Sequence, residues 1–316
     1  MLSRVAESIY WMSRQVERAE NLARFLEVTH NLTLDQPQDL VNPWEPLIRV
    51  TADDEYFFSH YGEPDSKSVT QFLAFDSDYP NSMLASLRQA RENARSVRES
   101  LSSECYEQIN EFYHFVNETA VQRTIESPNH FFDAVRRIAL QWTGVLDSTM
   151  AHDLGWQFAN IGRLIERADK TSRILDVKYF NLLPRVDDVG TSFDDLQWSA
   201  LLLAISGFES YRRLHHSISI EKVVEFFIFN QTFPRSIFYC VKGLQQSLCD
   251  SSCFSQSSER NKAEQRVVTL MQRLVDTHVK EVLAGGMHQF VDTLQIELNQ
   301  IGESMNLDFF SHPANS

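Results

Sequence analysis

The sequence predicts an all-α fold, and three of its features lead to that prediction. Of its 316 residues, 43% are apolar and 22 are Phe, a composition that supports a sizeable core and is not typical of a disordered chain. Only 10 Gly and 9 Pro are present, which is too few for the frequent turns of a sandwich or barrel. Long segments carry apolar residues at spacings of three and four, the period of an α-helix with a buried face.

The clearest helix is predicted at residues 3–28. Most of its apolar residues form one stripe, whereas Trp11, Leu22 and Phe25 fall on another side of the helix. A helix that is apolar on two sides usually packs on two sides. We therefore expect this helix to lie centrally in a bundle.

Shorter helices separated by turn signals are predicted for the rest of the chain. A link bearing Pro and Asn follows the first helix at 31–43. Ser82 is a suitable N-cap for a later helix, and Gly285 and Gly286 separate the last two helices. The residues after Leu307 are expected to form a loose tail. The predicted helical segments are 44–61, 83–122 (as one or two helices), 129–150, 151–180, 194–216, 220–231, 237–248, 259–284 and 287–304.

Internal matches predict that the chain contains two copies of one helical unit. The segment RQVERAENLARFLEV at 14–28 is identical to RLIERADKTSRILDV at 163–177 in seven of fifteen positions. Further on, FLAFDSDYPNS at 72–82 matches FFIFNQTFPRS at 226–236 with a similar offset. Colinear matches of this kind are typical of duplication.

We therefore predict two pseudo-repeat helical bundle units, 1–150 and 151–316, packed into one domain. Two related units can bury their apolar stripes against each other about a pseudo-twofold axis. This arrangement predicts that the two matched helices, each carrying a Glu-Arg pair, lie close together or in equivalent places.

The charge of the chain argues against several classes of partner. Its formal net charge is −14, so general nucleic-acid binding and attraction to anionic membrane surfaces are not expected. No segment approaches the roughly 20 consecutive apolar residues of a membrane span. The first residues lack the features of a secretory signal, and we expect the protein to be cytoplasmic.

No metal or cofactor is expected from the sequence. The four cysteines are Cys105, Cys240, Cys249 and Cys253. A zinc site needs more closely spaced ligands than this chain offers, so free thiols in a reducing compartment are expected. The sequence also lacks the Gly-rich loops that cradle phosphates.

The Glu-Arg pairs, Glu17-Arg18 and Glu166-Arg167, allow two interpretations. Mixed charges on a helix usually form a solvated face whose ion pairs stabilise the fold only slightly. These helices are apolar on other sides as well, however, and charges forced inside must be paired. A buried Arg cluster can also hold a substrate carboxylate or phosphate.

At these residues the sequence resembles the bacterial alpha-E domain family. The resemblance covers nearly the whole chain and is carried by long stretches in order: SRVAESIYWMSRQVERAENLAR, WEPLIRVTADDEYFF, ARENARSVRES, DSTMAHDLGWQF, GRLIERADKTSRILDVKY and FPRSIFYCV. It implies an all-α fold and genomic company with circularly permuted ATP-grasp proteins and transglutaminase-like proteases. It also implies a role in making or modifying small peptides.

Polar residues within those stretches are the candidate site residues, although the resemblance assigns no role to any of them. The acid-base candidates are Glu17, Glu166, His152 and Asp169. The substrate-binding candidates are Arg18, Arg24, Asn21, Arg91, Asn93, Arg167 and Arg173. Glu20 and Asp153 are further candidates, and Trp11 and Trp156 are expected as walls.

Two functional hypotheses follow. The first is a component of a small-peptide pathway that acts with an ATP-grasp ligase on a small peptide or amino acid and is catalytic through Glu17 or Glu166. The alternative is a non-catalytic helical scaffold that docks on the ligase, with structural Glu-Arg pairs. A solvent-reachable polar pocket around the pairs favours the enzyme, and a closed ion-pair cluster favours the scaffold.

Overall fold

The computed structural model describes residues 1–35, 42–51, 53–122, 127–181, 192–252 and 261–311. Within these ranges the chain forms fifteen α-helices and no β-strand, which confirms the all-α prediction. The helices are α1 (Ser3–Asp35), α2 (Glu45–Thr51), α3 (Asp54–His60), α4 (Ser66–Thr70), α5 (Met83–Ser96), α6 (Ser103–Gln122), α7 (Pro128–Thr149), α8 (Leu154–Asn181), α9 (Ser192–Ala204), α10 (Phe208–Leu214), α11 (Ile220–Phe229), α12 (Ile237–Ser252), α13 (Lys262–Asp276), α14 (Val279–Gly285) and α15 (Met287–Met305).

Helix α1 lies at the centre of the bundle, as its two apolar sides predict. It packs against α5, α7, α8 and α9, and Leu22 and Phe25 are buried together with the residues of the main stripe. It also extends beyond its predicted end at residue 28, because residues 29–35, which include the start of the predicted link, are helical. Residues 36–41 of the predicted link lie outside the described residues.

Helix α8, the other helix that carries a Glu-Arg pair, lies directly against α1. Gly162 on α8 lies against the backbone of Tyr10 on α1, and a Cβ atom at this glycine would be 2.3 Å from the Tyr10 carbonyl oxygen. A glycine permits such close backbone contact because it has no side chain. The two matched helices therefore pack directly on each other.

Three of the predicted helices are each divided in two, and the segment 83–122, predicted to hold one or two helices, holds two, α5 and α6. The segment 194–216 breaks after α9, where Ser206 has a φ of 54° and the N–H of Gly207 bonds to the Leu202 carbonyl, a typical way to close a helix end. The segment 259–284 breaks before α14, where His278 and Glu281 form a reciprocal cap. The segment 44–61 is divided between α2 and α3.

The other predicted boundaries give one confirmation and one error. Ser82 caps α5, with its hydroxyl accepting a hydrogen bond from the Ala85 N–H at 3.1 Å. The prediction of a loose tail after Leu307 is wrong for residues 308–310, which complete a π-helical turn. Phe310 is buried there, with its ring 5.2 Å from that of Tyr10, so apolar burial orders this end of the chain.

The core is continuous through both halves of the chain. One cluster of buried apolar side chains includes residues of α1, α5, α7, α8, α12 and α15. Within the described ranges no helix combines the length and the apolar character that crossing a membrane requires. The boundaries 1–150 and 151–316 and the duplication itself remain predictions.

Candidate functional site

The two Glu-Arg pairs face each other and exchange partners. Glu17 on α1 accepts hydrogen bonds from Nε and Nη2 of Arg167 on α8, at 2.8 and 2.7 Å. Glu166 on α8 accepts hydrogen bonds from Nε and Nη2 of Arg18 on α1, at 2.7 and 3.2 Å. Each glutamate is therefore bound by the arginine that follows the other glutamate.

Both carboxylates are buried in the interface between α1 and α8. Glu17 is 3% exposed and Glu166 is 0% exposed. The apolar sides of the two helices bring these charges inside, and a buried charge is tolerated only when it is paired and hydrogen-bonded. The two-pronged pairing with arginine meets that requirement on both sides of the interface.

Around Glu17 lies a group of six polar residues, which we call the Glu17 cluster: Glu17, Glu20, Asn21, Arg24, Arg167 and Arg235. Arg235, just before α12, donates to Glu17 at 3.1 Å, to Asn21 at 3.1 Å and to Glu20 at 2.5 Å. Arg24 donates to Glu20 at 2.6 Å. All six residues are buried.

Around Glu166 lies a second group, the Glu166 cluster: Arg14, Arg18, Glu166, Asp169, Lys170 and Arg173. Arg14 donates to Glu166 at 3.0 Å, and the Lys170 ammonium lies 3.7 Å from the same carboxylate. Asp169 accepts from Lys170 and from Arg173, both at 3.0 Å. The four cationic side chains of this cluster are 13–20% exposed, so this cluster reaches solvent.

The surrounding cations keep these carboxylates ionised. Burial alone raises the pKa of Glu17, but Arg167 and Arg235 more than offset it and lower the pKa to about 2. Burial also opposes ionisation of Glu166, whose pKa is nevertheless held well below its ordinary value by Arg18, Lys170 and Arg14. A carboxyl group with so low a pKa is a poor general acid or base near pH 7.

The structure brings together eight of the eleven predicted site residues. The eight are Glu17, Arg18, Asn21, Arg24, Glu166, Arg167, Asp169 and Arg173. Glu20, named beside them, belongs to the Glu17 cluster as well.

His152 lies apart from this network. It precedes α8, is exposed, and its ring stacks on Trp156 at 4.2 Å while Nε2 contacts the carbonyl oxygen of Asp147. The part of α8 from Leu154 to Glu166 spans about 18 Å at 1.5 Å per residue, so His152, which precedes it, is far from Glu166. Neighbouring Asp153 accepts from the N–H of Gly155 at the start of α8, so this pair stabilises a helix end.

Arg91 and Asn93, both on α5, also lie outside the two clusters. Arg91 donates to Asn110 at 2.7 Å and lies 5.0 Å from the ring of Tyr113, both on α6. The backbone carbonyl of Asn93 accepts from Ser96. Arg91 therefore joins α5 to α6, and Asn93 takes part in a hydrogen bond at the end of α5. Of the two expected walls, Trp11 does border the network, with the Arg14 guanidinium 4.9 Å from its ring.

Three residues of the two clusters are missing from the predicted site: Arg14, Lys170 and Arg235. Arg14 and Lys170 lie within the matched helical segments, one turn from Glu17 and Glu166 respectively. Arg235 had a weaker signal, since it stands in the second matched segment where the first has Asn81. Asn81 accepts from Arg18 at 2.7 Å, so both matched positions face the Glu-Arg pairs.

In the described ranges, no three His, Cys, Asp or Glu side chains are close enough to share a metal ion. Cys105, Cys240 and Cys249 are free thiols, and Cys253 lies outside the described residues. Burial raises the pKa of Cys240 to about 12, so its thiol is not a nucleophile at neutral pH.

Comparison with known proteins identifies relatives but no solved structure that matches the chain. The chain is 26% identical over 309 residues to uncharacterized proteins of Mycobacterium bovis and Mycobacterium tuberculosis. The match covers 90% of this chain and 34% of each relative, so the chain spans about a third of their length. A family model described as a predicted alpha-helical domain with a conserved ER motif matches residues 1–310. The exchanged pairs Glu17-Arg18 and Glu166-Arg167 are two ER dipeptides, and the chain belongs to the Alpha-E family.

Proposed function

We propose that the protein is a non-catalytic helical component of a small-peptide synthesis or modification pathway and that it acts by docking on an ATP-grasp ligase. In this proposal the Glu-Arg pairs are structural. The observation that carries it is the reciprocal exchange of Glu17-Arg167 and Arg18-Glu166 between α1 and α8. Each motif completes the other and leaves neither carboxylate available to a substrate.

Burial and protonation support a structural role for both glutamates. Both oxygens of Glu17 and both oxygens of Glu166 accept hydrogen bonds from arginine, and both side chains are buried. Their lowered pKa values favour permanent carboxylates, whereas a general base works best with a pKa near the operating pH. Buried carboxylates that are paired across a helix interface in this way fix how the two helices pack.

The partner class is proposed from the resemblance, and the relatives bear only on whether this fold works beside other polypeptide segments. The alpha-E resemblance implies genomic company with circularly permuted ATP-grasp proteins. In the mycobacterial relatives, the matching region accounts for only 34% of each protein, so this fold is joined there to other polypeptide segments. A fold that is covalently joined to further segments in some proteins is a reasonable binding partner of separate chains in others.

The test is co-purification with the ATP-grasp protein from the same genome. The two full-length chains are co-expressed with a tag on one of them, and the eluate is analysed by size-exclusion chromatography with light scattering. We expect a complex of defined stoichiometry and, with the ligase as reporter, a higher turnover when the helical protein is present. Separate elution of two folded proteins contradicts the proposal.

A second candidate function, substrate binding with catalysis, draws support from the exposed part of the Glu166 cluster. Arg14, Arg18 and Lys170 are 13–16% exposed, and cations at such a site can attract a carboxylate or phosphate. Glu166→Gln separates the two functions in the reconstituted reaction. A folded variant with unchanged turnover supports the scaffold, whereas a folded variant without turnover supports the enzyme.

A further inference from the structure

A small cleft, lined by residues that belong to neither ion-pair cluster, lies between the end of α1, α7 and α9. Its volume is about 210 Å³, below the roughly 300–1,000 Å³ of pockets for drug-sized ligands. Among the described residues, its polar end is lined by Glu27, Asn31 and Arg136, and the rest of its lining is mainly aliphatic. An occupant of this cleft must therefore be small.

One end of the cleft is polar and held rigid. The Nε atom of Arg136 lies 2.8 Å from a carboxylate oxygen of Glu27. The Nη2 group of Arg136 donates hydrogen bonds to Glu27 at 3.0 Å and to Asp133 at 2.9 Å. These contacts fix the plane of the guanidinium. Among the described residues no hydrogen-bond partner is found for Nη1 of Arg136, which leaves its two N–H donors for a ligand oxygen.

Asn31 adds a second donor at this end. Its Oδ1 accepts from Asn129 at 2.8 Å, which orients the amide and leaves the Nδ2 group for another acceptor. Burial raises the pKa of Glu27 although Arg136 opposes the shift. An additional positive group or N–H donor beside Glu27 therefore stabilises its ionised form.

The remainder of the cleft is apolar and open at its rim. Leu196, Ala200 and Leu203 follow one stripe of α9 and face Val28 and Leu32 of α1. Leu196 is 40% exposed and Leu203 is 51% exposed. A ligand with a branched aliphatic group removes this apolar surface from water, which favours binding.

We infer that the cleft binds an aliphatic α-amino acid, either free or as the carboxyl-terminal residue of a short peptide. Its carboxylate takes the Nη1 donors of Arg136 and the amide of Asn31, and its aliphatic side chain lies between Leu196 and Leu203. The α-ammonium of a free amino acid, or the amide N–H of a peptide, lies beside Glu27. Binding of this ligand does not depend on the proposed function. Only the place of the ligand in a small-peptide pathway rests on the proposed function.

The test is calorimetric titration of the full chain with L-leucine and with the dipeptide Gly-Leu. We expect saturable binding, with one site per chain, of at least one of the two. Leucine alone identifies the free amino acid as the ligand, and Gly-Leu alone identifies the peptide terminus. Leucinol, which lacks the carboxylate, is expected to bind at least about tenfold more weakly, because it cannot accept charge-assisted hydrogen bonds from Arg136 and Asn31.

Two pairs of variants link binding to the cleft. Leu203→Asp is expected to weaken binding at least about tenfold, whereas the matched control Leu140→Asp, 55% exposed on α7 and outside the cleft, leaves it unchanged. Arg136→Lys keeps the charge beside Glu27 but loses the fixed pair of N–H donors, and we expect a similar loss. Arg137→Lys, on the neighbouring exposed arginine, is its control.

Two results overturn the inference. One is the absence of saturable binding of both probes to the wild-type protein. The other is binding that is equally strong in Leu203→Asp and in Leu140→Asp. Neither result bears on complex formation with the ATP-grasp protein, which is measured without either probe, so failure of one proposal is distinguishable from failure of the other.

Discussion

Glu17 on α1 and Arg167 on α8 form a buried ion pair that is reciprocated by Arg18 and Glu166 on the same two helices. A shift of one helix along the other by a single turn, about 5.4 Å, breaks both pairs together. Buried ionic groups in some proteins fix one packing register rather than add net stability. We propose that role for the ER motif in this chain.

Replacement of Glu166 by Gln is expected to destabilise the fold strongly. The change leaves Arg14, Arg18 and Lys170 around a neutral amide in a site that is 0% exposed. Breaking a buried pair in this way typically costs about 3–5 kcal/mol. The free energy of unfolding is measured by urea titration followed by circular dichroism.

The control for this variant is Glu45→Gln on α2. Glu45 pairs with Arg49 at 2.7 Å, but the two side chains are 39% and 55% exposed. An exposed pair contributes at most about 1 kcal/mol, so this variant should unfold nearly as the wild type does. Equal destabilisation by the two changes is incompatible with a structural role for the buried network.

The pairing between Glu17 and Arg167 predicts a measurable coupling energy. Glu17→Gln and Arg167→Gln each leave one buried charge with fewer partners, whereas the double variant removes both charges of the pair. We expect the double variant to lose less stability than the sum of the single losses, by about 1–3 kcal/mol. The four proteins are compared by urea unfolding at one pH.

The exposed pair Glu45 and Arg49 provides the control, with the same set of two single variants and one double variant. Its coupling energy is expected to be no more than about 0.5 kcal/mol, the usual value for a surface pair four residues apart on a helix. Additive losses for Glu17 and Arg167 show that the contact between them contributes nothing specific.

Local sequence patterns predicted much of this fold because the forces involved are local. The two apolar sides of α1 predicted its central position, and Ser82 was recognisable as a cap. Most of the clustered site residues lie on two helices whose matched segments were visible in the sequence. The partner of each residue was not visible, because the exchange of Glu17 and Glu166 depends on how the helices cross.

Other features that depend on tertiary packing were missed, because the local sequence does not show which residues meet in the fold. Arg235 joins the Glu17 cluster from the loop before α12, and Phe310 is ordered by contact with Tyr10. His152 carried a suggestive side chain but lies at a helix end. The cleft beside Arg136 is lined by three helices that are distant in sequence, so no single segment could reveal it.

Acid is expected to remove the contribution of Glu17 to stability. Its pKa is about 2 in the folded protein against an ordinary value of 4.5, so the unfolded state binds a proton first as the pH falls. The stabilisation is complete above about pH 5 and disappears as the pH falls towards 2, a loss of about 3 kcal/mol for this group. Urea titrations at several pH values measure it.

The variant Glu17→Gln separates the pH-dependent contribution of Glu17 to stability from the contributions of Glu166 and Asp169, whose pKa values are also lowered. The stability difference between the wild type and Glu17→Gln should be largest near neutral pH and should narrow as the pH falls below about 4.5, because protonated Glu resembles Gln. A difference that is constant between pH 6 and pH 3 shows that Glu17 does not titrate with a lowered pKa.

Two glycine-to-alanine changes should have opposite signs. At Gly162 a Cβ atom would lie 2.3 Å from the backbone oxygen of Tyr10, so α1 and α8 must separate; such overpacking costs about 1–3 kcal/mol or more. At Gly144, inside α7, nothing lies within 4 Å of the added atom, and the better helix propensity of alanine should add about 0.5–1 kcal/mol. In thermal melts, the melting temperature is therefore expected to lie below the wild-type value for Gly162→Ala and above it for Gly144→Ala. A melting temperature of Gly162→Ala at or above the wild-type value contradicts the close crossing on which the exchanged Glu-Arg pairs depend.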